Sequence, residues 1–518
     1  MKNITKYTGF LFAFLLCFGA TTCSEESYDP NPNEKYRVKV ENIAMILNKH
    51  GGEEYIGKIN ENKKDIHFRK LDPETDLSSV TFIGDLPRGA KFDSESYDFT
   101  VEEGATQITK VIKIVNGERF RDYFVTIRLN TPPPGADFNK AKVYNFSESG
   151  ARYSEYNDLN ARPADMDLNY VLIPIRSVAG RQSHLLRLED LKQTPPVIAP
   201  INLNMTGVSG GTFDCNSGRI VNGHVYINNL ATNLPASPFK VYHWSAANAD
   251  TPPDVVANFM TSDISGIPDG ANIGIRYGDY ASFEINSRGS GSIFVKGWEN
   301  SYHALKIGVT GFVNSAKPAY MQSPEDPGAL ASQVHPNRSF WYSWPVFAQV
   351  EGQSDEFLVS GWGQATGRTA LIDGNGKLLY YMRTFNTTTG NSARIFNFNG
   401  MRYLITLDGA RLTVYALRLG ETTKEALEIF DGLQEGGSYA PDVMYQTPAY
   451  TASLGSFSYA AGNSAVHVGF AKDDDTLYII GSAAGNGFLI VEAPKTEAPD
   501  PEDKSDDFFD ELDEKGYI

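Results

Sequence analysis

Cysteine is scarce in this sequence. Among 518 residues there are three, Cys17, Cys23 and Cys215, and the first two lie in or beside an amino-terminal leader. Cys215 therefore has no partner for a disulfide within the body of the chain. The fold must be held by its apolar core, and Cys215, in a predicted inner strand, is expected to be a buried and unreactive thiol.

Positive charge is also in short supply. The chain has 46 Lys and Arg against 63 Asp and Glu, a formal net charge of −17. Such a surface repels the phosphate backbone, so a nucleic acid partner is excluded. The other proportions, 41% hydrophobic and 21% charged residues, are ordinary for a soluble globular protein.

The motifs of well-known catalytic and cofactor sites are missing. There is no Gly-x-Ser-x-Gly, no P-loop and no dinucleotide fingerprint. The eight histidines are too far apart in sequence for a zinc motif. Acidic segments at residues 373–376 and 473–475 lack the spaced ligands of a calcium loop and are better explained as turns. We expect no catalytic residue, no cofactor and no metal on these grounds.

Long apolar runs are lacking as well. The one short run, residues 9–18, follows Lys2 and Lys6 and precedes the small residues 19–22. It is too short to span a bilayer as a mature helix, and its flanks are typical of a secretory signal. Residues 1–22 are therefore predicted to be a signal peptide, and no other segment is predicted to cross a membrane.

Cys23 follows the small residues directly, and Ser24-Glu-Glu-Ser comes after it. This arrangement resembles the lipoprotein box of Bacteroidetes-type surface lipoproteins, although Ala20 and Thr22 stand where Leu and Gly or Ala are usual. The resemblance implies lipidation of Cys23, anchoring in the outer membrane and exposure on the cell surface. Several acyl chains would give a firm anchor. The alternative is simple cleavage and secretion.

Glycine and aromatic residues are abundant. With 47 Gly, 27 Tyr and 30 Phe, the composition favours an all-β fold with many turns. After a tether at residues 23–35, short strand-like runs recur over residues 36–130, and Asn116-Gly117 joins the last two as a hairpin. This pattern predicts an Ig-like β-sandwich. A Pro-rich linker, residues 131–139, follows it.

The segment from Tyr97-Asp-Phe-Thr-Val to Tyr123-Phe-Val-Thr-Ile has a closer parallel. It resembles the cadherin-like sandwich domains at the front of many Bacteroidetes surface lipoproteins. The resemblance implies a spacer, or less commonly a module that binds protein or glycan.

Residues 140–494 contain repeated units of four short strands, of which residues 210–259 are the clearest example. Units of this kind are blades of a β-propeller. We predict six blades, with seven blades or two sandwiches as the alternatives. Because the last unit ends after its third strand, residues 141–146 are expected to pair with residues 487–492 and close the ring.

Four segments of this region carry a second resemblance. The first three begin Gly210-Gly-Thr-Phe, Asn222-Gly-His-Val and Phe239-Lys-Val-Tyr, and the fourth runs from Gly462-Asn to Val466-His-Val-Gly-Phe. They resemble an uncharacterised propeller family, a domain of unknown function in surface lipoproteins of gut Bacteroidetes. The resemblance covers most of residues 140–494 and implies no catalytic residues.

Three long segments between predicted blades could bind a ligand, because long loops in compact domains are often functional. They span residues 261–280, 323–344 and 435–459. Their aromatic rings could stack on sugars while polar groups bind hydroxyls, or the rings could simply pack the loops onto the blades. The predicted ligand-binding residues are Arg276, Tyr277, Asp279, His335, Arg338, Trp341, Tyr342, Trp344, Tyr439 and Tyr445.

Together these features predict a surface lipoprotein that binds a glycan or glycoprotein without catalysis during outer-membrane nutrient uptake. The expected partners are that ligand, an outer-membrane transporter complex and the membrane itself through the lipid. Two alternatives remain: a polysaccharide lyase or hydrolase at the mouth of the propeller channel, and an adhesion or scaffold protein. The acidic residues 495–518 are predicted to be a disordered tail.

Overall fold

The structure is a computed structural model. It describes residues 37–47, 52–102, 105–131, 133–147, 153–271, 273–297, 303–324, 343–362, 367–382, 391–408, 411–417, 420–435, 443–448 and 466–497. The predicted signal peptide, the tether and nearly all of the acidic tail lie outside these ranges. The chain divides into two compact units between Pro133 and Pro134.

The described strands of the first unit form one seven-stranded sheet in the order β4-β1-β2-β3-β7-β6-β5. Neighbouring strands are antiparallel except β3 and β7, which are parallel. The strands are β1 (Ile43–Leu47), β2 (Glu53–Asn60), β3 (Asp65–His67), β4 (Val80–Gly84), β5 (Lys91–Phe92), β6 (Gln107–Asn116) and β7 (Arg119–Arg128).

This single sheet replaces the Ig-like sandwich that the sequence predicted. The parallel pairing of β3 with β7 joins the strands that a sandwich would divide between two sheets. The sheet then curls until its edges approach, because Val80 in β4 exchanges two backbone hydrogen bonds of 2.8 Å with Tyr97, beyond β5. Tyr123, Val125 and Ile127 alternate along β7 into one buried core. The predicted Asn116-Gly117 hairpin is confirmed between β6 and β7.

The described strands of the second unit form six sheets, and the predicted six-bladed propeller is confirmed. The first strands of successive blades, β9, β13, β17, β22, β26 and β30, contact one another in a closed ring around an axis. Blade 1 contains β9 (Asp165–Met166), β10 (Tyr170–Ile173), β11 (His184–Arg187) and β12 (Ile201–Asn202). Blade 2 contains β13 (Phe213–Val221), β14 (His224–Leu230), β15 (Phe239–Ser245) and β16 (Asp254–Phe259).

The other blades repeat this meander. Blade 3 contains β17 (Tyr277–Ile285), β18 (Gly291–Gly297), β19 (His303–Thr310), β20 (Val313–Asn314) and β21 (Ala319–Gln322). Blade 4 contains β22 (Ser343–Gln349), β23 (Glu356–Trp362), β24 (Gly367–Asp373) and β25 (Leu378–Met382). Blade 5 contains β26 (Asn391–Phe398), β27 (Met401–Asp408), β28 (Arg411–Ala416) and β29 (Val443–Gln446). Blade 6 contains β30 (Val466–Lys472), β31 (Thr476–Ala483), β32 (Gly487–Pro494) and the earlier strand β8 (Lys142–Asn145).

The predicted closure of the ring is confirmed. Strand β8 pairs antiparallel with β32, with Val143 opposite Val491 and Tyr144 opposite Ile490. The Tyr144 hydroxyl donates to Glu492 at 2.8 Å. Because β8 and β32 pair, the backbone N–H and C=O groups along their shared edge have partners.

Among the described residues, two α-helices lie between strands: α1 (Leu188–Leu191) and α2 (Thr423–Glu435). Helix α2 lies between β28 and β29 and buries Ala426, Leu427 and Phe430 against blades 4 and 5. A reciprocal cap starts it, because Glu425 N donates to Thr422 Oγ1 and Thr422 N donates to Glu425 Oε2, both at 3.2 Å. The sequence analysis predicted no helix here. In the described part of the chain, no helix is both long and apolar enough to cross a membrane.

Serine hydroxyls connect neighbouring blades. At five blade junctions a serine Oγ accepts a hydrogen bond from a backbone N–H at or near the first strand of the next blade. The pairs are Ser177 with Cys215, Ser217 with Ala281, Ser282 with Phe347, Ser392 with Val468 and Ser482 with Ala164, at 2.7–3.3 Å. First strands have no second strand on their axial side, so these hydroxyls satisfy N–H groups that would otherwise be buried without a partner.

Cys215 is buried in blade 2, as expected. Burial raises the pKa of its thiol to about 12. The two acidic segments are turns, since Asp373 Oδ1 accepts from the backbone N–H groups of Asn375 and Lys377, and Asp473 Oδ1 from those of Asp475 and Thr476. Within the described residues, no three His, Cys, Asp or Glu side chains are grouped so that they could hold a metal ion.

Candidate functional site

The meander assigns each connection between strands to one end of the propeller. Links between second and third strands, and crossovers from one blade to the next, lie at the end called here the top face. Links between first and second strands, and between third and fourth strands, lie at the bottom face. The predicted ligand segments were placed in crossovers, at the top, but strands interrupt them: β17 begins at Tyr277, β22 at Ser343, and β29 contains Tyr445.

Polar side chains from three blades converge at the top face. Arg276 Nε and Nη2 donate to the two carboxylate oxygens of Asp279 at 2.8 and 2.5 Å. Asn216 Nδ2 donates to the backbone oxygens of Gly278 and Asp279 at 2.5 and 3.0 Å. Arg176 Nε donates to Asn216 Oδ1 at 2.6 Å. Arg176, Asn216, Arg276 and Asp279 are called the top cluster.

The surroundings of the top cluster are cationic. Arg162 is buried near Arg176 and Arg276, and burial together with these two positive charges lowers its pKa to about 9. Burial also lowers the pKa of Lys296 to about 7, against the opposing effect of Asp279. Arg276 keeps 32% of its side-chain surface exposed, whereas Asp279 keeps 7%. Solvent and a ligand can therefore reach the guanidinium of Arg276 more readily than the carboxylate of Asp279.

A second group of polar side chains occupies the axis. His467 Nε2 lies 2.9 Å from Asp165 Oδ1, and His467 Nδ1 lies 3.1 Å from the Tyr280 hydroxyl. Arg219 Nε donates to Asp165 Oδ2 at 3.2 Å, and its Nη1 donates to Glu284. Arg394 also reaches Glu284, with 3.3 Å between Nη2 and Oε1, and its Nε donates to the backbone oxygen of Val468. These six side chains are called the axial cluster, and they come from blades 1, 2, 3, 5 and 6.

The positive and negative charges of the axial cluster balance one another. Burial favours the neutral form of Asp165, but the hydrogen bond with His467 and the positive charges of Arg219 and Arg394 outweigh burial and hold the pKa of Asp165 at about 2. Burial lowers the pKa of His467, so the ring is neutral near pH 7. Two carboxylates then face two guanidinium groups. Buried charges paired in this way suit a role in holding the blades together.

An open groove lies at the bottom face, with a cavity volume of about 720 Å³. It lies where blades 1, 2 and 6 meet. Its walls include Tyr170, Arg187, Lys192, His224, Ala247 and Tyr478. Rings, amides and charged groups therefore line one cavity, and the sequence analysis selected none of these residues.

The other predicted ligand residues have varied positions. Tyr277 is fully buried, and its hydroxyl donates to Ile273 O and lies 2.8 Å from His303 Nε2. Tyr445 stacks on Phe138, with 5.4 Å between the ring centroids. Trp344 lies in β22, with its side chain outside the described part. The following lie wholly outside it: His335, Arg338, Trp341, Tyr342 and Tyr439.

The axial cluster had a weak signal in the sequence. Each of its members is a polar residue within or beside a short apolar strand, as Arg394 is in β26 and His467 in β30. A buried charged residue is rare unless it is paired. The partners, however, lie as far apart in sequence as 302 residues, so their meeting could not be read from local spacing.

Comparison with known proteins gives one strong family match. The model of the family described as "Domain of unknown function (DUF4623)" matches residues 35–496. A crystal structure of a DUF4623 family protein from Bacteroides eggerthii DSM 20697 is 30% identical with a TM-score of 0.59, over 89% of this chain and 100% of that chain. No curated protein matches the chain.

A more distant similarity concerns a fungal enzyme. The structure of Penicillium chrysogenum alpha-L-arabinanase complexed with arabinobiose is 10% identical with a TM-score of 0.34, over 70% of this chain and 98% of that chain. Similarity this low carries no argument about the activity of the present chain.

Proposed function

Since the chain belongs to the DUF4623 family, whose description names no activity, we propose a function from the chain's own residues. The protein is a cell-surface lipoprotein whose propeller binds a glycan or glycoprotein without catalysis, as part of nutrient uptake at the outer membrane. The single observation that supports it best is the top cluster, in which polar side chains from three blades meet at one face of the propeller.

The chemistry of the top cluster suits sugar hydroxyls. A guanidinium paired with a carboxylate offers donors and acceptors side by side, and Arg276 and Asp279 form such a pair. Asn216 and Arg176 hold the backbone beside this pair, so its geometry is fixed before a ligand arrives.

The carboxylates of the axial cluster support binding over hydrolysis. A glycosidase needs one carboxylic acid with a raised pKa and a second carboxylate beside the substrate. Asp165 has its pKa held at about 2 and is 2% exposed. Glu284 accepts from both Arg219 and Arg394. This arrangement favours an assembled, inert channel over an acid–base pair.

The lipoprotein part of the proposal comes from the amino terminus. Lys2 and Lys6, the apolar residues 9–18 and the small residues before Cys23 form a secretory signal with a cysteine at its end. The acidic residues after Cys23 support exposure on the cell surface. A lipid anchor would place both units of the chain outside the membrane.

The proposal is tested by removing the top pair. Arg276→Ala with Asp279→Asn removes both charges of the ion pair, and the amide keeps the shape of the Asp279 side chain beside Arg162 and Lys296. We expect at least a tenfold loss of affinity for the best glycan found by array screening of the full chain, and a cooperative melting transition establishes that the variant is folded. Arg288→Ala, an exposed arginine in a bottom-face turn, is the matched control. Unchanged affinity in the double variant would refute the top cluster as the binding site.

A further inference from the structure

We propose that the bottom-face groove is a second binding site, separate from the top cluster, and that it takes a short segment of an uncharged saccharide. Its cavity volume of about 720 Å³ falls within the range of roughly 300–1,000 Å³ that is typical of ligand pockets. The groove lies at the opposite end of the propeller from the top cluster. One saccharide unit therefore cannot contact both.

The groove presents the two kinds of surface that a sugar ring requires. Tyr170 and His224 are half-buried rings, and Leu168 and Ala247 are exposed apolar side chains beside them. Arg187, also exposed, lies with its guanidinium carbon 5.8 Å from the centroid of the Tyr170 ring. Rings and apolar groups contact the C–H faces of a sugar, while donors such as a guanidinium bind its hydroxyls.

The backbone of the groove is fixed by Asp167. Its Oδ1 accepts from the backbone N–H groups of Asn169 and Tyr170, both at 2.8 Å. Its Oδ2 accepts from Gly223 N at 2.6 Å, which ties the turn of blade 1 to the turn of blade 2. One buried carboxylate thus sets the positions of three groove residues, and a preorganised wall lowers the entropy cost of binding.

The rings of the groove are also held from behind. His224 Nδ1 lies 3.0 Å from His243 Nε2, and the Phe312 ring packs on both histidines with centroids 4.6 Å apart. On the far wall, Lys192 Nζ donates to the Tyr478 hydroxyl at 2.9 Å and pairs with Glu492 at 2.8 Å. Each wall therefore has a second layer of support from blades 2, 3 and 6.

Charge decides the class of saccharide. Glu492 neutralises Lys192, and the exposed Glu189 accompanies the exposed Arg187 in the lining. Burial lowers the pKa of His224, so its ring is uncharged near pH 7. The groove thus carries both signs in balance. The groove therefore offers no net positive charge to attract a uronate or sulfate group. An uncharged saccharide does not need such a charge to bind.

The test uses the full chain and immobilised neutral gluco-, manno- and galacto-oligosaccharides, together with uronate-containing and sulfated ones. Ala247→Trp fills the groove without removing any of its contacts, and Arg187→Ala removes one donor. Arg288→Ala, in a turn of the same face outside the groove lining, is the matched control. Melting temperatures establish that each variant is folded.

We expect wild type to bind a neutral oligosaccharide. Its affinity should fall roughly tenfold or more in Ala247→Trp and severalfold in Arg187→Ala. This affinity of the groove should not change in Arg288→Ala, and the variant lacking the Arg276–Asp279 pair should lose only the separate binding at the top face. Loss of binding only in that last variant would overturn the groove proposal and leave the proposed function intact. Binding of acidic saccharides alone would overturn the ligand class, and no binding of any saccharide would overturn both proposals.

Discussion

Five histidines of the propeller are held where burial lowers the pKa of the ring. They are His184, His224, His243, His303 and His467. The lowered values reach about 4 for His243 and about 3 for His303. In the unfolded chain each ring would titrate near its ordinary value of about 6.5. At pH values between the lowered pKa of the folded chain and about 6.5, the unfolded chain therefore binds more protons than the folded chain.

The free energy of unfolding should therefore fall as the pH is lowered. Stability from these rings is fully present above about pH 6.5 and is lost as the pH falls toward 4, because protons then favour the unfolded chain. For the fully buried His303 the loss is on the order of 3 kcal/mol. We expect urea unfolding to show a steep fall in the free energy of unfolding from pH 7 to pH 4. His303→Gln cannot take up a proton and should make the slope shallower; an identical slope would contradict this origin.

Among the predicted site residues, Arg276 and Asp279 were selected because both lie in the long segment 261–280, and the structure pairs them. The groove could not be found in this way. Tyr170, His224 and Tyr478 belong to three different blades, and only closure of the ring brings them together. Tyr277 shows that residue type alone does not identify a binding residue, since a tyrosine in a crossover segment can equally be a core residue.

At the scale of elements, the blade junctions depend on serine as well as on apolar packing. Ser217, Ser282, Ser392 and Ser482 are at most 2% exposed, and each accepts from a backbone N–H of the next blade. Removing one hydroxyl would leave a buried N–H without its acceptor. The cost of an unsatisfied buried donor is about 1–3 kcal/mol.

Ser392→Ala measures this cost directly. We expect it to lower the free energy of unfolding by about 1–3 kcal/mol in urea titration. Ser287→Ala, at an exposed turn position, removes the same atom without such a contact and should change stability by less than about 0.5 kcal/mol. Equal stability of the two variants would show that the hydroxyl bridges contribute nothing.

The closing strand β8 offers a second test at this scale. Val143 is 42% exposed yet pairs with Val491 in the ladder, so its backbone matters more than its side chain. Val143→Pro should lower stability by about 1–3 kcal/mol, because proline does not fit within a paired strand. Val143→Ala keeps the backbone and is the matched control. If both variants melt at the same temperature, the pairing of β8 with β32 does not hold the ring closed.

The elements show which patterns are readable from sequence. Repeated four-strand units predicted the blades, and the missing fourth strand of the last unit predicted the closure. Helix α2 was missed although Thr422 and Glu425 carry the capping signature, because the search followed strand patterns and assigned no element between the predicted strand 412–417 and the predicted loop 435–459. The single sheet of the first unit depends on the parallel pairing of β3 with β7, and local alternation carries no information about such distant partners.

At the scale of the whole molecule, the proposed lipid anchor at Cys23 would determine where the protein works. Cys23→Ser should abolish lipid attachment and move the protein from the detergent phase to the aqueous phase in phase partitioning. Labelling of intact cells with an antibody should fall in parallel. The Cys17→Ser variant, changed within the predicted signal peptide, is the control and should remain lipid-anchored. Detergent partitioning that survives Cys23→Ser would exclude acylation at this residue.

The central claim is that the propeller binds a saccharide and does not cleave it. The most direct measurement incubates the full chain with its best-binding oligosaccharide for a day and analyses both bound and free saccharide by mass spectrometry. The account predicts saturable binding and recovery of the saccharide at its original mass, consistent with Asp165 and Glu284 being engaged by arginine. Accumulation of shorter products that disappears in Asp165→Asn or Glu284→Gln would contradict it and make the axial cluster a catalytic site.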